Sequence, residues 1–296
     1  MKRHSLRSFY KAYVLLVLLV AYAFNFLDRQ VLSVALESIK TELALSDTQL
    51  GVLTGVAFAV FYSILGIPIA RWADRGNRST IISLSLALIS ATVALCSAAR
   101  TFTQMMVVRI GVGIGEAGVV PPAHSLVSSY FGRSERLRAM SIFLLGGPLS
   151  MAVGYLVGGW FTELYGWRAA FRAIAIPGVI LTVLVRLTVK DPRTAASRVS
   201  SANPVDESEP ITAGEPPRLS NTGTPSPAGE TSIRDVLRFL WAQPTFRCLL
   251  LAFGVDYLCG NGLLQWYPVF FVRVHGMTTG ALGTWLAINW GIGNAI

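Results

Sequence analysis

Eight apolar stretches, each about twenty residues long as a membrane span requires, run along this chain of 296 residues: near 13–35, 49–70, 79–99, 104–127, 139–161, 169–189, 246–271 and 279–296. Lipid offers the backbone no hydrogen-bond partner, so a segment crosses it as a helix or as part of a closed barrel, and apolar runs of this length dictate helices. The sequence therefore predicts an all-α, polytopic membrane bundle. Composition agrees: 53% of residues are hydrophobic and only 14% charged, with a mean hydropathy of +0.54, whereas a soluble domain carries roughly a quarter charged residues. A disordered chain, a disulfide scaffold and an ordinary soluble enzyme are excluded. The first stretch is too long for a cleavable signal and is interrupted by Asp28-Arg29. Cys96, Cys248 and Cys259 all lie in apolar runs without metal-ligand spacing, so they read as small apolar fillers, and neither a metal nor a cofactor is implied.

The net charge of +9 comes from 25 Lys+Arg against 16 Asp+Glu. Its distribution follows membrane sidedness rather than a nucleic-acid surface. Lys2, Arg3, Arg7 and Lys11 precede the first span, Arg71, Arg75 and Arg78 follow the second, and Arg133, Arg136 and Arg138 follow the fourth. The alternate loops hold only Lys40, Arg100, Arg168 and Arg172. The positive-inside rule then places the N-terminus and the even loops in the cytoplasm of a cell whose inner or plasma membrane holds the protein.

Composition also divides the chain. Residues 1–189 form an N-terminal half of six helices. Residues 190–232 hold seven of the 14 prolines with many Ser, Thr and Glu, and are expected to be a disordered cytoplasmic linker. In 233–243, Ile233, Val236, Leu237, Leu240 and Trp241 recur at helical spacing beside Arg234 and Arg238, as in an amphipathic helix lying on the cytoplasmic leaflet; a helix packed on the bundle is the alternative. Residues 246–296 supply two helices of a second half. The last span stops at Ile296 without a polar flank, so the sequence is expected to be a chain cut short, with about four further helices completing the half.

Asp28, Glu116 and Asp256 stand inside apolar spans, accompanied by Arg29 and Arg109. A charge at mid-membrane costs about 2.5–3.5 kcal/mol on insertion scales, so such residues mark a pathway or fix helix register as a buried ion pair. Arg109 and Glu116 are seven residues apart, nearly two turns, which puts them on one helix face about 10 Å apart. They are too distant to bond directly but line one cavity, where Arg109 can meet Asp28 of the first helix. Asp256 reads either as a cavity residue or as a helix-end charge. The string GIGEAG, with Gly113, Gly115 and Gly118, has the form of a dinucleotide fingerprint. That reading needs a preceding strand, and inside a membrane span the glycines instead let helices approach closely. Pro121-Pro122, which follow this string, should kink or break the helix that carries it. His124 is read as a satisfied polar residue, with a proton relay as the alternative.

Several motifs carry a resemblance. ARWADRGNRST, residues 70–80, resembles the cytoplasmic loop motif G-x-x-x-D-R-x-G-R-R of the major facilitator superfamily. Asp74 and Arg75 match its central pair and Arg78 supplies a later basic residue, while Ala70 replaces the leading glycine. Gly147-Pro148, followed by Gly154, Gly158 and Gly159, is similar to the glycine–proline signature of helix five in that superfamily. NFLDRQVLSV, RIGVGIGEAG and WYPVFFVRVHG together look like Spinster-like carriers. The resemblance implies a bundle of major facilitator type with a complete N-terminal half and a truncated C-terminal half. It also implies alternating-access transport of a lipid-like or amphiphilic small molecule, coupled to protons through Asp28, Arg109 and Glu116, with Asp74 latching the cytoplasmic side.

Desolvation makes a carboxylate's charge costly and a nearby arginine restores it. A motion that alters an Arg–carboxylate distance therefore takes up or releases a proton, which is the coupling expected here. An organic-anion carrier of the same superfamily, with Arg109 gripping the anion, is the competing reading, and a transport-inactive scaffold is a further one. No catalytic constellation supports an enzyme. The expected partners are a small-molecule substrate, protons and the bilayer, and no nucleic acid.

Overall fold

A computed structural model describes residues 2–193 and 233–293, apart from the side chains of residues 2–8, 56–59, 70, 74, 75, 233–237 and 292. The described chain is helical between short connections. Helix α1 (Lys2–Leu43) is followed by α2 (Asp47–Gly51), which passes through a π-helical turn, Val52–Val56, into α3 (Ala57–Arg75). Next come α4 (Arg78–Cys96), α5 (Phe102–Ala117), α6 (Val120–Tyr130), α7 (Arg136–Leu144), α8 (Gly146–Tyr165) and α9 (Trp167–Thr188). After residues 194–232, where most of the expected linker lies outside the described residues, come α10 (Ile233–Ala242), α11 (Pro244–His275) and α12 (Thr279–Leu286), which runs on as a π-helical stretch to Ile292. Among the described residues, seven helical stretches are long and apolar enough to cross a membrane. The eighth expected span is helical from Thr279 to Ile292, and residues 294–296 lie outside the description.

Local chemistry sets the boundaries. Ser46 opens α2 with a capping box, its hydroxyl accepting from the Gln49 N–H while the Gln49 side chain accepts from the Ser46 N–H. Asn77, Thr101 and Thr278 cap α4, α5 and α12 in the simpler way, each accepting an N–H three residues on. Gly166 separates α8 from α9 at φ +81°, a conformation that a side chain would strain. The expected break before Pro121-Pro122 falls at Gly118-Val119, and Pro121 sits in the first turn of α6, where its missing N–H goes unused.

The chain divides into two units, Met1–Ser197 with Leu264–Ile296, and Arg198–Leu263. In the first, α1 runs through the core: Leu18, Leu32, Leu36 and Ile39 are fully buried. Helix α8 lies along it by presenting Gly146, Ser150, Gly154 and Gly158 at four-residue spacing. A Cβ on Gly146 would stand 2.7 Å from the Leu19 carbonyl oxygen, and one on Gly158 would stand 2.9 Å from the Val31 Cα. Helix α5 meets α4 in the same fashion, Gly111, Gly115 and Gly118 lying against Thr92, Ile89 and Ser85. Helix α12 meets α8 backbone to backbone at Gly159 and Gly283. Apolar side chains on the outer faces, such as Ile176 and Leu187, stand exposed as a lipid-facing surface requires. In the other unit, Phe239 and Trp241 of α10 are exposed, as is nearly all of α11 up to Leu263.

Candidate functional site

Helix α1 contributes Asp28 and Arg29, and α5 contributes Arg109 and Glu116. The glycines of α5 draw it against its neighbours, so the four charges meet in the interior. Arg109 Nη1 donates to Asp28 Oδ2 at 2.5 Å, both side chains being buried. Arg29 donates to both oxygens of Glu116, its Nε to Oε1 at 3.4 Å and its Nη2 to Oε2. Glu116 is wholly buried and Arg29 partly so. The expected pairing of Arg109 with Asp28 is present. The partner of Glu116 is Arg29 and not Arg109, because two turns along α5 separate Arg109 from Glu116 while the long Arg29 side chain reaches across. The cluster is formally neutral, and burying four charges this way is tolerable only because each has a counter-ion.

Its hydrogen bonding is incomplete among the described residues. Asp28 Oδ1 and Arg109 Nε lack partners, as do both polar atoms of Asn25, one helical turn before Asp28 and fully buried. Orphaned buried polar atoms cost about 1–3 kcal/mol each, so their gathering at one level of α1 sets this stretch apart from the apolar core around it. Cys96 is buried nearby, its thiol within electrostatic range of both Asp28 and Arg109. Sequence reasoning missed Asn25 because a lone amide in an apolar span gives little signal. No group of three or more His, Cys, Asp or Glu side chains among the described residues is placed to hold a metal ion.

The remaining expected site residues fall in three places. Asp256 belongs to the other unit, where it is exposed. Asp74 and Arg75 close α3, and their side chains lie outside the described ones. Arg78 is wholly buried at the start of α4. Its Nε and Nη2 donate to the two oxygens of Asp191 at 3.0 and 2.6 Å, and its Nη1 donates to the Ser125 carbonyl, the Ser125 hydroxyl and the Ser129 hydroxyl. Burial alone would raise the Asp191 carboxyl, but hydrogen bonds from the Arg78 side chain and from the backbone N–H groups of Arg78 and Arg193 hold it below the usual carboxylate range. Residues 190–193 were expected to open the disordered linker; in the structure they are described, and Asp191 is buried in its pair with Arg78. Gly113 is buried, and Gly115 and Gly118 make the close approaches expected of them. At the glycine–proline signature the close approach belongs to Gly146. A Cβ on Gly147 would meet nothing nearer than 3.9 Å, and Pro148 sits in the first turn of α8.

A second charged group was not foreseen. Arg273 near the end of α11 donates to Glu37 at 2.8 Å and to Asp47 at 2.7 Å, and Lys40 donates to Asp47 at 2.8 Å. These contacts tie α1, α2 and α11 together at the end of the bundle opposite Arg78.

The family described as Major Facilitator Superfamily matches residues 18–296. The chain belongs to the Major Facilitator Superfamily. This is a superfamily of transporters and not of enzymes, and the chain is one of its multi-pass membrane proteins. A crystal structure of a bacterial homologue of the human lysosomal transporter Spinster, inward-facing and unoccupied, matches with a TM-score of 0.75 and 32% identity, covering 93% of this chain and 58% of that one. The resemblance to Spinster-like carriers thus extends to the fold. An efflux pump of the superfamily from Mycolicibacterium smegmatis is 31% identical over 267 residues, 90% of this chain and 56% of the pump. A probable galactarate/D-glucarate transporter from Bacillus subtilis is 26% identical over 287 residues, 94% of this chain and 60% of that protein. The chain therefore spans less than two thirds of the length of these relatives.

Proposed function

We infer that this superfamily member takes part in proton-coupled secondary transport of a lipid-like or amphiphilic small molecule by alternating access. The observation that carries the reading is the pair of buried ion pairs joining α1 to α5. A carboxylate kept ionised at that depth depends on its arginine, and separating the two leaves protonation as the less costly outcome. A rocking motion that parts Arg109 from Asp28, or Arg29 from Glu116, would thereby exchange a proton with one side of the membrane. In this reading residues 1–189 form one half and residues 246–296 supply helices of the other. The N-terminus and residues 190–243 face the cytoplasm of an inner or plasma membrane, α10 lies on that leaflet, and Asp74 and Asp256 serve the gate and the cavity. The Spinster likeness supports an amphiphilic substrate.

A second reading, carriage of an organic anion, has one observation in its favour. Arg109 Nε has no partner among the described residues, so the guanidinium retains a donor for an anion, and a probable sugar-acid transporter stands among the relatives.

The test is accumulation by the full-length protein in proteoliposomes under an imposed proton gradient. Asp28→Asn and Glu116→Gln each remove a titratable site at nearly constant size. Both variants should insert normally and lose gradient-driven accumulation, with exchange surviving in one of them. Wild-type accumulation by both would refute proton coupling at this cluster.

A further inference from the structure

Away from the ion pairs, a groove of about 310 Å³ opens between α4 and α9, at the end of the bundle where Arg78 and Asp191 meet. Among its lining residues Ser83, Ala87 and Thr182 are the more covered, Arg186 is exposed, and Leu84, Val183 and Leu187 form the apolar flanks. All three flanking side chains are more than half exposed, on the surface that faces hydrocarbon. The groove therefore combines apolar walls with polar groups, Ser83, Thr182 and Arg186, spaced along it.

Arg186 decides what can lie there. It is exposed in the last turn of α9 and has no hydrogen bond or ion pair with any described residue. An arginine at that level is stable only if it reaches headgroups or meets an anion. The described acids of this end are already engaged, Asp191 with Arg78 and Glu135 with Lys11. The hydroxyls add a second constraint. Ser83 and Thr182 donate their protons to the carbonyls of Ser79 and Gly178, so towards the groove they offer lone pairs only. An occupant that satisfies the site carries an anionic group for Arg186, a hydroxyl donor for Ser83 or Thr182, and a hydrocarbon tail for the flanks. We propose that the α4/α9 groove is a binding site for an anionic phospholipid with a hydroxylated headgroup, its phosphate on Arg186 and an acyl chain between Leu84 and Leu187. The site is separate from the ion-pair cluster and independent of what the protein carries.

The test uses the purified chain in nanodiscs of equimolar phosphatidylglycerol and phosphatidylethanolamine, with the lipid retained after extraction counted by native mass spectrometry. The wild type should retain phosphatidylglycerol preferentially. Arg186→Gln should lower that retention about fivefold, the factor that one interfacial basic residue supplies, and Arg186→Lys should keep most of it. Ala87→Phe fills the groove without altering charge and should lower retention equally. Arg71→Gln removes the same charge from an exposed position outside the groove and should leave retention unchanged. Equal losses in Arg71→Gln and Arg186→Gln would show diffuse surface attraction and overturn the site, as would wild-type retention in both Arg186→Gln and Ala87→Phe. Release of the lipid by inorganic phosphate would overturn the acyl part of the proposal.

Discussion

Removing either member of the Arg78–Asp191 pair should destabilise the bundle, and by unequal amounts. Breaking a buried pair costs about 3–5 kcal/mol, because the surviving charge is left without its counter-ion. In Arg78→Met, Asp191 keeps two donors that the substitution does not touch, the backbone N–H groups of residues 78 and 193 at 2.9 and 3.1 Å. The loss should therefore lie near the lower bound, about 3 kcal/mol. In Asp191→Leu, Arg78 keeps its three bonds to Ser125 and Ser129, but these all use Nη1. Its Nε and Nη2 are left bare in a wholly buried site, and the loss should approach about 5 kcal/mol. The double variant removes both charges and should cost less than the sum of the singles by at least about 2 kcal/mol. Equilibrium unfolding in mixed micelles, followed by tryptophan fluorescence, measures all three. The pH dependence supplies a separate check. The Asp191 carboxyl is held below its ordinary 3.8, so its contribution is complete above that value and is lost as pH falls through the lower folded value. The wild type should thus lose stability below about pH 4 more steeply than Asp191→Asn, and the two should run parallel from pH 5 to 7. Additive single losses, or identical acid limbs, would refute a strong pair.

Three further outcomes are expected. Gly146→Ala should destabilise by about 1–3 kcal/mol through overpacking, since its Cβ would press on the Leu19 carbonyl at 2.7 Å, while Gly147→Ala, with nothing inside 3.9 Å, should be neutral or slightly stabilising; thermal unfolding of the pair separates them. Arg273→Gln severs two exposed bonds worth about 0–1 kcal/mol each. Labelling of a cysteine at Ser38, which lines a cavity beside Glu37 and Val272, should therefore quicken severalfold, and an unchanged rate would show that Arg273 does not restrain that end. Arg109→Lys keeps the charge but not the planar fork. Unchanged substrate affinity with a shifted pH optimum would favour proton coupling, a fall in affinity would favour an anion grip, and no change in either would leave Arg109 a purely structural partner.

The spans and the Asp28–Arg109 pair were legible because lipid penalises polar backbone and isolated charge so heavily that each leaves a mark in the sequence. The break before Pro121-Pro122 was legible for a similar reason, proline having no N–H to give. The partner of Glu116 was not. Residues 28 and 29 point about 100° apart on a helix, and only the length of the Arg29 side chain brings it round to α5. Asp191 lay hidden in a stretch whose composition argues for disorder, and its long-range partner Arg78 stands more than a hundred positions earlier. At Gly146-Gly147 the sequence offers two equal residues, and which one touches α1 depends on a rotation of α8 that no local pattern records. Arg273, Glu37 and Asp47 are ordinary loop-end charges until the fold assembles them.

The two positive and two negative charges of the α1/α5 cluster have an electrical consequence. With both carboxylates ionised, the group moves as a neutral body, so a reorientation that carried it across part of the bilayer would displace no net charge. The membrane voltage, worth about 2.3 kcal/mol per elementary charge per 100 mV, would then do no work on that step. Once Asp28 or Glu116 binds a proton, the same body carries one positive charge, and its passage towards the negative side is driven by voltage. In the proton-coupled cycle proposed above, the neutral sum would separate a silent leg from a current-carrying leg, and an applied potential should then speed one direction of movement and leave the return unaffected.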